Sequence, residues 1–399
     1  MRFFKVLKSF AIRNFQSFHQ QTQVSLVLNK HAPMDDRSCL ASNGSRVSKA
    51  LAVIGHNASG KTTLIKSLAF LDWFIKYSFL SKIDSPLPLS SHFVSTSEPA
   101  EFELEFELNA KDWRYRLVAD EHRVYSEELH CRQVRSFSYV FIRIWNPSSK
   151  SYSVKQQNFG LLQKEAENVR ENASLISTAA QYKIPLALEF LAANVFTNLF
   201  VHGRQRLDDS QLSVASSFYA NNQPICNAMS KLLSQWDLGL SQVRIEKHTI
   251  TRENGLSEEV FIPFGVHFVA EKEHALMMMQ ESSGTQGAYL LLSRILPALQ
   301  SGGLAVIDEL EADLHPHLLA PILDLFFSTH TNPKNAQLIF TCHSLEILSL
   351  LHKSQVVLVE KDKNCQSEAW RLDEVKGVRS DDNLYAKYMA GAYGAVPEL

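Results

Sequence analysis

The octapeptide Gly55-His56-Asn57-Ala58-Ser59-Gly60-Lys61-Thr62 constrains this 399-residue chain more than any other stretch. It spaces two glycines, a lysine and a hydroxyl residue as phosphate-binding loops do. An apolar run, Ala50-Leu51-Ala52-Val53-Ile54, precedes it and reads as a buried strand; Thr63-Leu64-Ile65-Lys66-Ser67-Leu68 follows and reads as a helix. Strand, glycine loop and helix in that order are the context the motif requires. The glycines let successive N–H groups turn inward, and the helix N-terminus adds partial positive charge, so a di- or triphosphate has a place to sit. Lys61 is expected to reach the β/γ-phosphates, Thr62 to hold Mg²⁺, and His56, Asn57, Ala58, Ser59 and Thr63 to line the loop.

A second apolar run, Leu304-Ala305-Val306-Ile307, ends in Asp308-Glu309. A strand that delivers acids to the same Mg²⁺ turns a nucleotide-binding site into a hydrolase candidate. Asp308 suits the metal side, and Glu309 suits a group that orients or deprotonates the attacking water. A third run, Gln337-Leu338-Ile339-Phe340, ends in Thr341-Cys342-His343-Ser344, which places His343 where it can sense a γ-phosphate. Ligands of parallel sheets bind at the carboxyl ends of strands, so the three motifs are expected to converge at one edge. Glu281-Ser282-Ser283-Gly284-Thr285-Gln286-Gly287 opens a helix and offers a second anion site at Ser283 and Gly284; an ordinary helix cap reads equally well from those residues alone.

Around these motifs the chain divides into three expected parts. Residues 1–154 form an N-terminal lobe with the phosphate loop and an antiparallel β unit. Strands are expected on either side of 14–18, a polar loop over 30–49, a connector over 81–98, and period-two strands over 99–154, where Glu101, Glu103, Glu105 and Glu107 alternate with apolar residues. Those glutamates read as a wet face rather than a metal row. Residues 155–240 read as a helical insertion, without the heptads of a long coiled-coil arm. Residues 241–399 form a C-terminal lobe: strands to 275, a helix over about 285–300, then two strand–helix units. The net charge is −2, so no global basic excess announces a nucleic-acid binder, although a local patch is compatible with it. Five scattered cysteines without a C-x-x-C pair favour neither zinc nor disulfides. With neither a secretory signal nor an apolar run long enough to span a bilayer, the expectation is a cytoplasmic protein that does not enter membranes.

The order of phosphate loop, Ser-Ser-Gly-Thr-Gln, Val-Ile-Asp-Glu and Thr-Cys-His-Ser resembles ABC-type ATPases, in particular the recombination and repair branch that is RecF- and SMC-like. Glu311-Ala312-Asp313-Leu314-His315-Pro316 resembles the D-loop region of that branch, and Ile12-Arg13-Asn14-Phe15-Gln16-Ser17-Phe18 resembles its first strands, which lie beside the nucleotide base. The tail, Val378 to Tyr385 and Gly391 to Pro397, resembles a narrower group. This is the compact, AAA-labelled ABC-like ATPases of bacterial anti-phage systems: RloA- and AbiL-like proteins, the PARIS-system ATPase and relatives of OLD-type ATPases. The chain departs from the pattern at Ser282, where Leu is usual, and at Thr285, where Gly is usual; Gln133 is the nearest candidate for a Q-loop. The 56 residues after His343 look too few for the nuclease domain of OLD proteins, and Glu360-Lys361-Asp362 does not read as a metal nuclease site.

The resemblance implies an α/β fold: an ABC-type P-loop NTPase head with a mixed or parallel core sheet, an antiparallel β subdomain and a helical insertion. It implies ATP and Mg²⁺ as ligands, with Lys61, Glu309 and His343 in the catalytic roles. It also implies a homo-oligomer in which the loop of one copy, Gly55 to Thr63, faces Ser283-Gly284 of another. The expected function is an ATPase that senses or regulates within an anti-phage, abortive-infection type of system and controls a separately encoded effector, a nuclease being favoured. The alternative is a RecF-like repair ATPase that binds DNA directly.

Overall fold

A computed structural model describes residues 6–200, 203–205, 207–236, 239–251, 257–379 and 381–396. Ser380 and Pro397 of the tail lie outside them. The core is a six-stranded sheet in the order Val195–Thr197, Leu304–Ile307, Gln337–Thr341, Ala50–Ile54, Val356–Lys361, Ser367–Arg371. The first five strands run parallel, and the last is antiparallel. The strands are continuous apolar runs because both faces are covered. Leu51 and Val53 point into one core, which contains the Lys61–Tyr77 helix; Ala50, Ala52 and Ile54 point into the other, which contains the Ser283–Ser301 helix.

A seven-stranded antiparallel sheet packs on the first of these cores, in the order Ser151–Gln156, Phe137–Asn146, Val124–Arg132, Lys111–Ala119, Ala100–Leu108, Val6–Arg13, Thr22–Ser25. The two strands expected around Asn14–Phe18 are therefore the inner and edge strands of this sheet, and the expected 99–154 β unit is its body. Leu64, Ile65, Leu68, Leu71 and Phe74 on the Lys61–Tyr77 helix are buried between the two sheets. At about 1.5–3 kcal/mol for each large apolar side chain, that stripe anchors the helix whose first turn carries Lys61 and Thr62. Three of the four glutamates form the wet face, where Glu101 pairs with Arg13, Glu105 with Arg114 and Glu103 with Arg116; Glu107, expected on the same face, is instead buried and accepts from the Ser42 N–H.

Two stretches differ from the sequence reading. The loop expected over 30–49 contains a short hairpin, Ser38–Leu40 with Arg46–Ser48. The helical insertion expected over 155–240 is crossed by a strand of the core sheet. Its first helices, Gln163–Glu167, Leu175–Gln181 and Pro185–Leu191, pack with the antiparallel sheet. There buried Arg143 donates to the carbonyls of Ala173 at 2.7 Å and Val169 at 2.8 Å, and buried Glu127 accepts from Ser174 Oγ at 2.6 Å. The chain then enters the core sheet as Val195–Thr197, and the Asp209–Ala220 and Gln223–Gln235 helices pack against Ser283–Ser301. Helical periodicity dominates this stretch, and a three-residue edge strand is too short to register against it. A separate three-stranded sheet, Gln242–Thr251, Ser257–Val269 and Lys272–Met277, follows. Among the described residues no helix is long and apolar enough to cross a membrane.

Candidate active site at the sheet edge

Because the core strands are parallel, four of them end on the same edge: Ala50–Ile54 feeds the phosphate loop, Leu304–Ile307 feeds Asp308-Glu309, Gln337–Thr341 feeds Cys342-His343, and Val195–Thr197 feeds Asn198. Gln337–Thr341 lies between the loop strand and the acidic strand.

The loop is tight. A Cβ on Gly55 would stand 2.1 Å from Val359 O, and Gly60 has φ +115. Lys61 Nζ donates to Gly55 O and His56 O, each at 2.9 Å, which curls the loop around its own ammonium. Burial pushes the Lys61 ammonium below its ordinary pKa, against the pull of Asp308, Glu309 and Glu311. Thr62 Oγ1 lies 3.0 Å from both carboxylate oxygens of Asp308. Thr341 Oγ1 donates to Asp308 Oδ1 at 2.6 Å and accepts from the Glu309 N–H at 2.7 Å. One hydroxyl therefore fixes both acids.

These residues fit a magnesium nucleotide. Two hard oxygens, Thr62 Oγ1 and an Asp308 carboxylate oxygen, converge from the loop and the acidic strand, the donor set Mg²⁺ takes beside phosphate. Ser59 Oγ is buried in the loop with no hydrogen-bond partner among the described residues. Such an orphaned hydroxyl calls for a ligand atom.

Glu309 is held from three sides. Its backbone is left-handed, with φ +51, which a non-glycine residue adopts only when its surroundings impose it. Its Oε2 pairs with Arg204, and its Oε1 lies 3.7 Å from His343 Nε2. The backbone N–H groups of His343 and Ser344 both point at Glu311 Oε1, so this glutamate positions the histidine loop. Burial pushes the Cys342 thiol well up, so it serves as an inert apolar neighbour.

Three contributors were not singled out by the sequence. Asn198 Nδ2 donates to Asp308 O at 2.9 Å, while its Oδ1 accepts from Asp308 N–H at 2.8 Å, so one amide grips the whole Asp308 peptide. Arg204 closes on Glu309 from the short hairpin Leu199–Phe200 with Gly203–Arg204. Both sit in a stretch that reads as helix, and only the tertiary fold brings them to the edge. Gln16 Oε1 accepts from Thr63 Oγ1 at 3.3 Å, so the glutamine at the loop comes from the N-terminal segment. Gln133 lies instead in a hairpin turn, its N–H bonded to Ser136 O at 3.0 Å. Ser17 follows Gln16 to the loop through Ser367, whose Oγ lies 2.8 Å from Ser17 Oγ and donates to Ser59 O at 2.6 Å.

Ser283 and Gly284 form the first turn of the Ser283–Ser301 helix, capped by Ser282, whose Oγ accepts from Thr285 N–H at 3.1 Å. They lie against the Glu311–Pro316 segment, where a Cβ on Gly284 would stand 2.9 Å from Asp313 O. No hydrogen bond among the described residues joins them to the phosphate loop of the same chain. Glu360 and Asp362 have structural roles: Glu360 Oε2 accepts from Ala395 N–H at 2.7 Å, and Asp362 Oδ1 accepts from Asn364 N–H at 2.9 Å.

Asp308 is only 2% exposed. Burial raises its pKa, the charge of Glu309 adds to the rise, and the Thr341 and Thr62 hydrogen bonds oppose it. A carboxyl with a folded pKa above its unfolded value binds protons more readily when folded. Its ionised form therefore opposes folding above the folded pKa, and that penalty fades as pH falls through it. Asp308→Asn removes the charge and keeps an oxygen for Thr341 and an amide for Thr62. At neutral pH this variant should be more stable by on the order of 1 kcal/mol, a rise of roughly 1 °C in melting temperature for a chain of this length. The gain should shrink in acid, and Mg²⁺-dependent nucleotide binding should be lost. Melting curves at several pH values, with and without Mg²⁺ and nucleotide, check this.

A parallel sheet that brings the Gly55–Thr62 phosphate-loop motif together with Asp308 and Glu309 on one edge defines a P-loop nucleoside triphosphatase fold. Residues 51–349 match the family described as "AAA domain, putative AbiEii toxin, Type IV TA system", and the chain belongs to that family. Among solved structures it is similar to the SMC head domain from Thermotoga maritima, at 13% identity and a TM-score of 0.40, covering 93% of this chain and 99% of that one. It is also similar to the SmcHead bound to the C-winged helix domain of ScpA, at 12% identity and a TM-score of 0.44, again covering 93% and 99%. No curated protein matches the chain. These likenesses are distant, and the site is defined by the geometry of this chain.

Proposed function

We propose that this protein hydrolyses ATP and uses the nucleotide to join two copies of itself. The convergence of Lys61, Thr62, Asp308 and Glu309 on one sheet edge carries the reading. Bound Mg²⁺ would neutralise charge on the β- and γ-phosphates, with Thr62 and Asp308 as its protein ligands. Lys61 binds the β- and γ-phosphates from the loop. Glu309 accepts a proton from the attacking water, and His343 lies on the same carboxylate to report the state of the γ-phosphate. Ser283-Gly284 is a helix start that no hydrogen bond among the described residues joins to the phosphate loop of its own chain, and the site it suits is the loop of a second copy. ATP would then stabilise the assembly it binds, and hydrolysis would loosen it.

We further propose that the assembly regulates a separately encoded effector, a nuclease being favoured, within an anti-phage system. The toxin and toxin–antitoxin wording of the family description supports the defence setting. The partner is sought as the product of the neighbouring reading frame.

Complementation tests the shared site. Lys61→Ala breaks the loop and leaves Ser283-Gly284 intact; Ser283→Arg does the reverse. Each variant alone should be inactive. Mixed in equal amounts, they should recover up to about a quarter of wild-type turnover, because half of the pairs are mixed and each mixed pair has one complete site. Turnover equal to the sum of the two separate variants would remove Ser283-Gly284 from the site.

A further inference from the structure

Glu309 has more partners than a water-activating group needs. A carboxylate oxygen that already accepts a charge-assisted hydrogen bond from a guanidinium is a weaker acceptor for the proton of water. The guanidinium here, Arg204, sits on a two-residue strand beside Gly203, which has φ +120 and open space around it. The Arg204 side chain is 30% exposed. The base of the segment is fixed, since Gln205 N–H donates to Asn198 O at 2.8 Å and Asn198 grips Asp308. The arginine can therefore move while the segment that carries it stays anchored.

A cavity of about 80 Å³ opens beside it. Four charged groups face this space: Arg204, Arg294, Glu309 and Asp313. Arg294 is occupied by neutral oxygens, Gln205 Oε1 and Gln211 Oε1, each at 3.2 Å. Asp313 is exposed, has a left-handed backbone with φ +62, and carries no ion pair among the described residues. One cavity thus holds a partly exposed cation, the carboxylate it now pairs with, and a second carboxylate without an ion pair among the described residues.

We propose that Arg204 is a two-position restraint on Glu309: paired with Glu309 it holds hydrolysis back, and transferred across the cavity to Asp313 it releases Glu309 to activate water. This rests on the reading of Glu309 as the water-activating group. It assigns to Arg204 and Asp313 a positioning role, with neither touching ATP. Asp313 lies against Gly284, so an event at the Ser283-Gly284 helix start is placed to favour the transfer.

Turnover of the full-length protein tests this. Arg204→Ala should raise kcat about threefold to fivefold, the size of one partly exposed ion pair, with KM unchanged. Arg204→Lys keeps the charge and should raise kcat by less than Arg204→Ala does. Asp313→Asn should lower kcat by a similar factor, because the released position loses its partner. In an Arg204→Ala background Asp313→Asn should have no effect, a coupling that loss of fold would not produce. Melting curves identify any variant that fails to fold, and Arg204→Gln then replaces Arg204→Ala. A fall in kcat on removing Arg204 would make it a direct catalytic group and overturn the restraint. Wild-type turnover that neither substitution changes would overturn the restraint alone. Absence of turnover in wild type and Arg204→Ala alike would overturn both the restraint and the hydrolase reading.

Discussion

Glu309→Gln should leave ATP binding intact and lower turnover by about 10²–10⁴-fold. The site geometry survives this change. The Glu309 backbone is held by Thr341 Oγ1 at 2.7 Å, and a glutamine oxygen can still accept from Arg204. Thr62 and Asp308 are untouched, so the metal side keeps its oxygens. Only the negative charge that accepts a proton is removed. Phosphate release under saturating Mg-ATP gives the rate, and calorimetric titration gives the affinity. Turnover at the wild-type level would remove Glu309 from its assigned role and shift attention to His343, which shares its carboxylate.

Gly55→Ala should be the most damaging small substitution in the loop. The added methyl would stand 2.1 Å from Val359 O, in the strand next to Ala50–Ile54, and 2.8 Å from Ser59 Oγ. The obstacle on one side is backbone, so the loop must move rather than a side chain. Overpacking of this kind costs about 1–3 kcal/mol, and each ~1.4 kcal/mol of misplaced binding geometry is a factor of ten in affinity. ATP binding should weaken by roughly 10–100-fold, and the melting temperature should fall. Gly287→Ala is the matched control, since its Cβ would meet nothing closer than 3.6 Å. Calorimetry and melting of the two variants check the contrast. Equal behaviour would mean that the tight packing of Gly55 does not shape the phosphate loop.

The parts of the site that were legible in the sequence share one physical origin. Each is a polar cluster directly after an apolar run that had to be a buried strand, so position along the chain translated into position on one sheet edge. This holds for Gly55–Thr62 after Ala50–Ile54, for Asp308-Glu309 after Leu304–Ile307, and for His343 after Gln337–Thr341. Asn198 obeys the same rule, and Arg204 follows on a separate two-residue strand, but the strand before Asn198 has three residues and is embedded among helices. Its pairing with Leu304–Ile307 depends on an edge left open by the rest of the fold, which no local pattern displays. Gln16 is a similar case: it reaches Thr63 because the turn after Val6–Arg13 folds over the loop, with φ +51 at both Asn14 and Gln16. The antiparallel sheet was legible from strict alternation, and so was its acidic face except at Glu107, which is buried. That Arg13, Arg114 and Arg116 would neutralise that face required the register of the strands.

The mass in solution of Glu309→Gln with Mg-ATP tests most directly whether ATP joins two copies. Light scattering should show a mass twice that of the monomer with ATP and the monomer with ADP. Lys61→Ala and Ser283→Arg, each added to the Glu309→Gln chain, should both return the monomer. A Glu309→Gln protein that binds ATP and stays monomeric at every concentration would contradict the shared site and leave a phosphate loop that works within one chain.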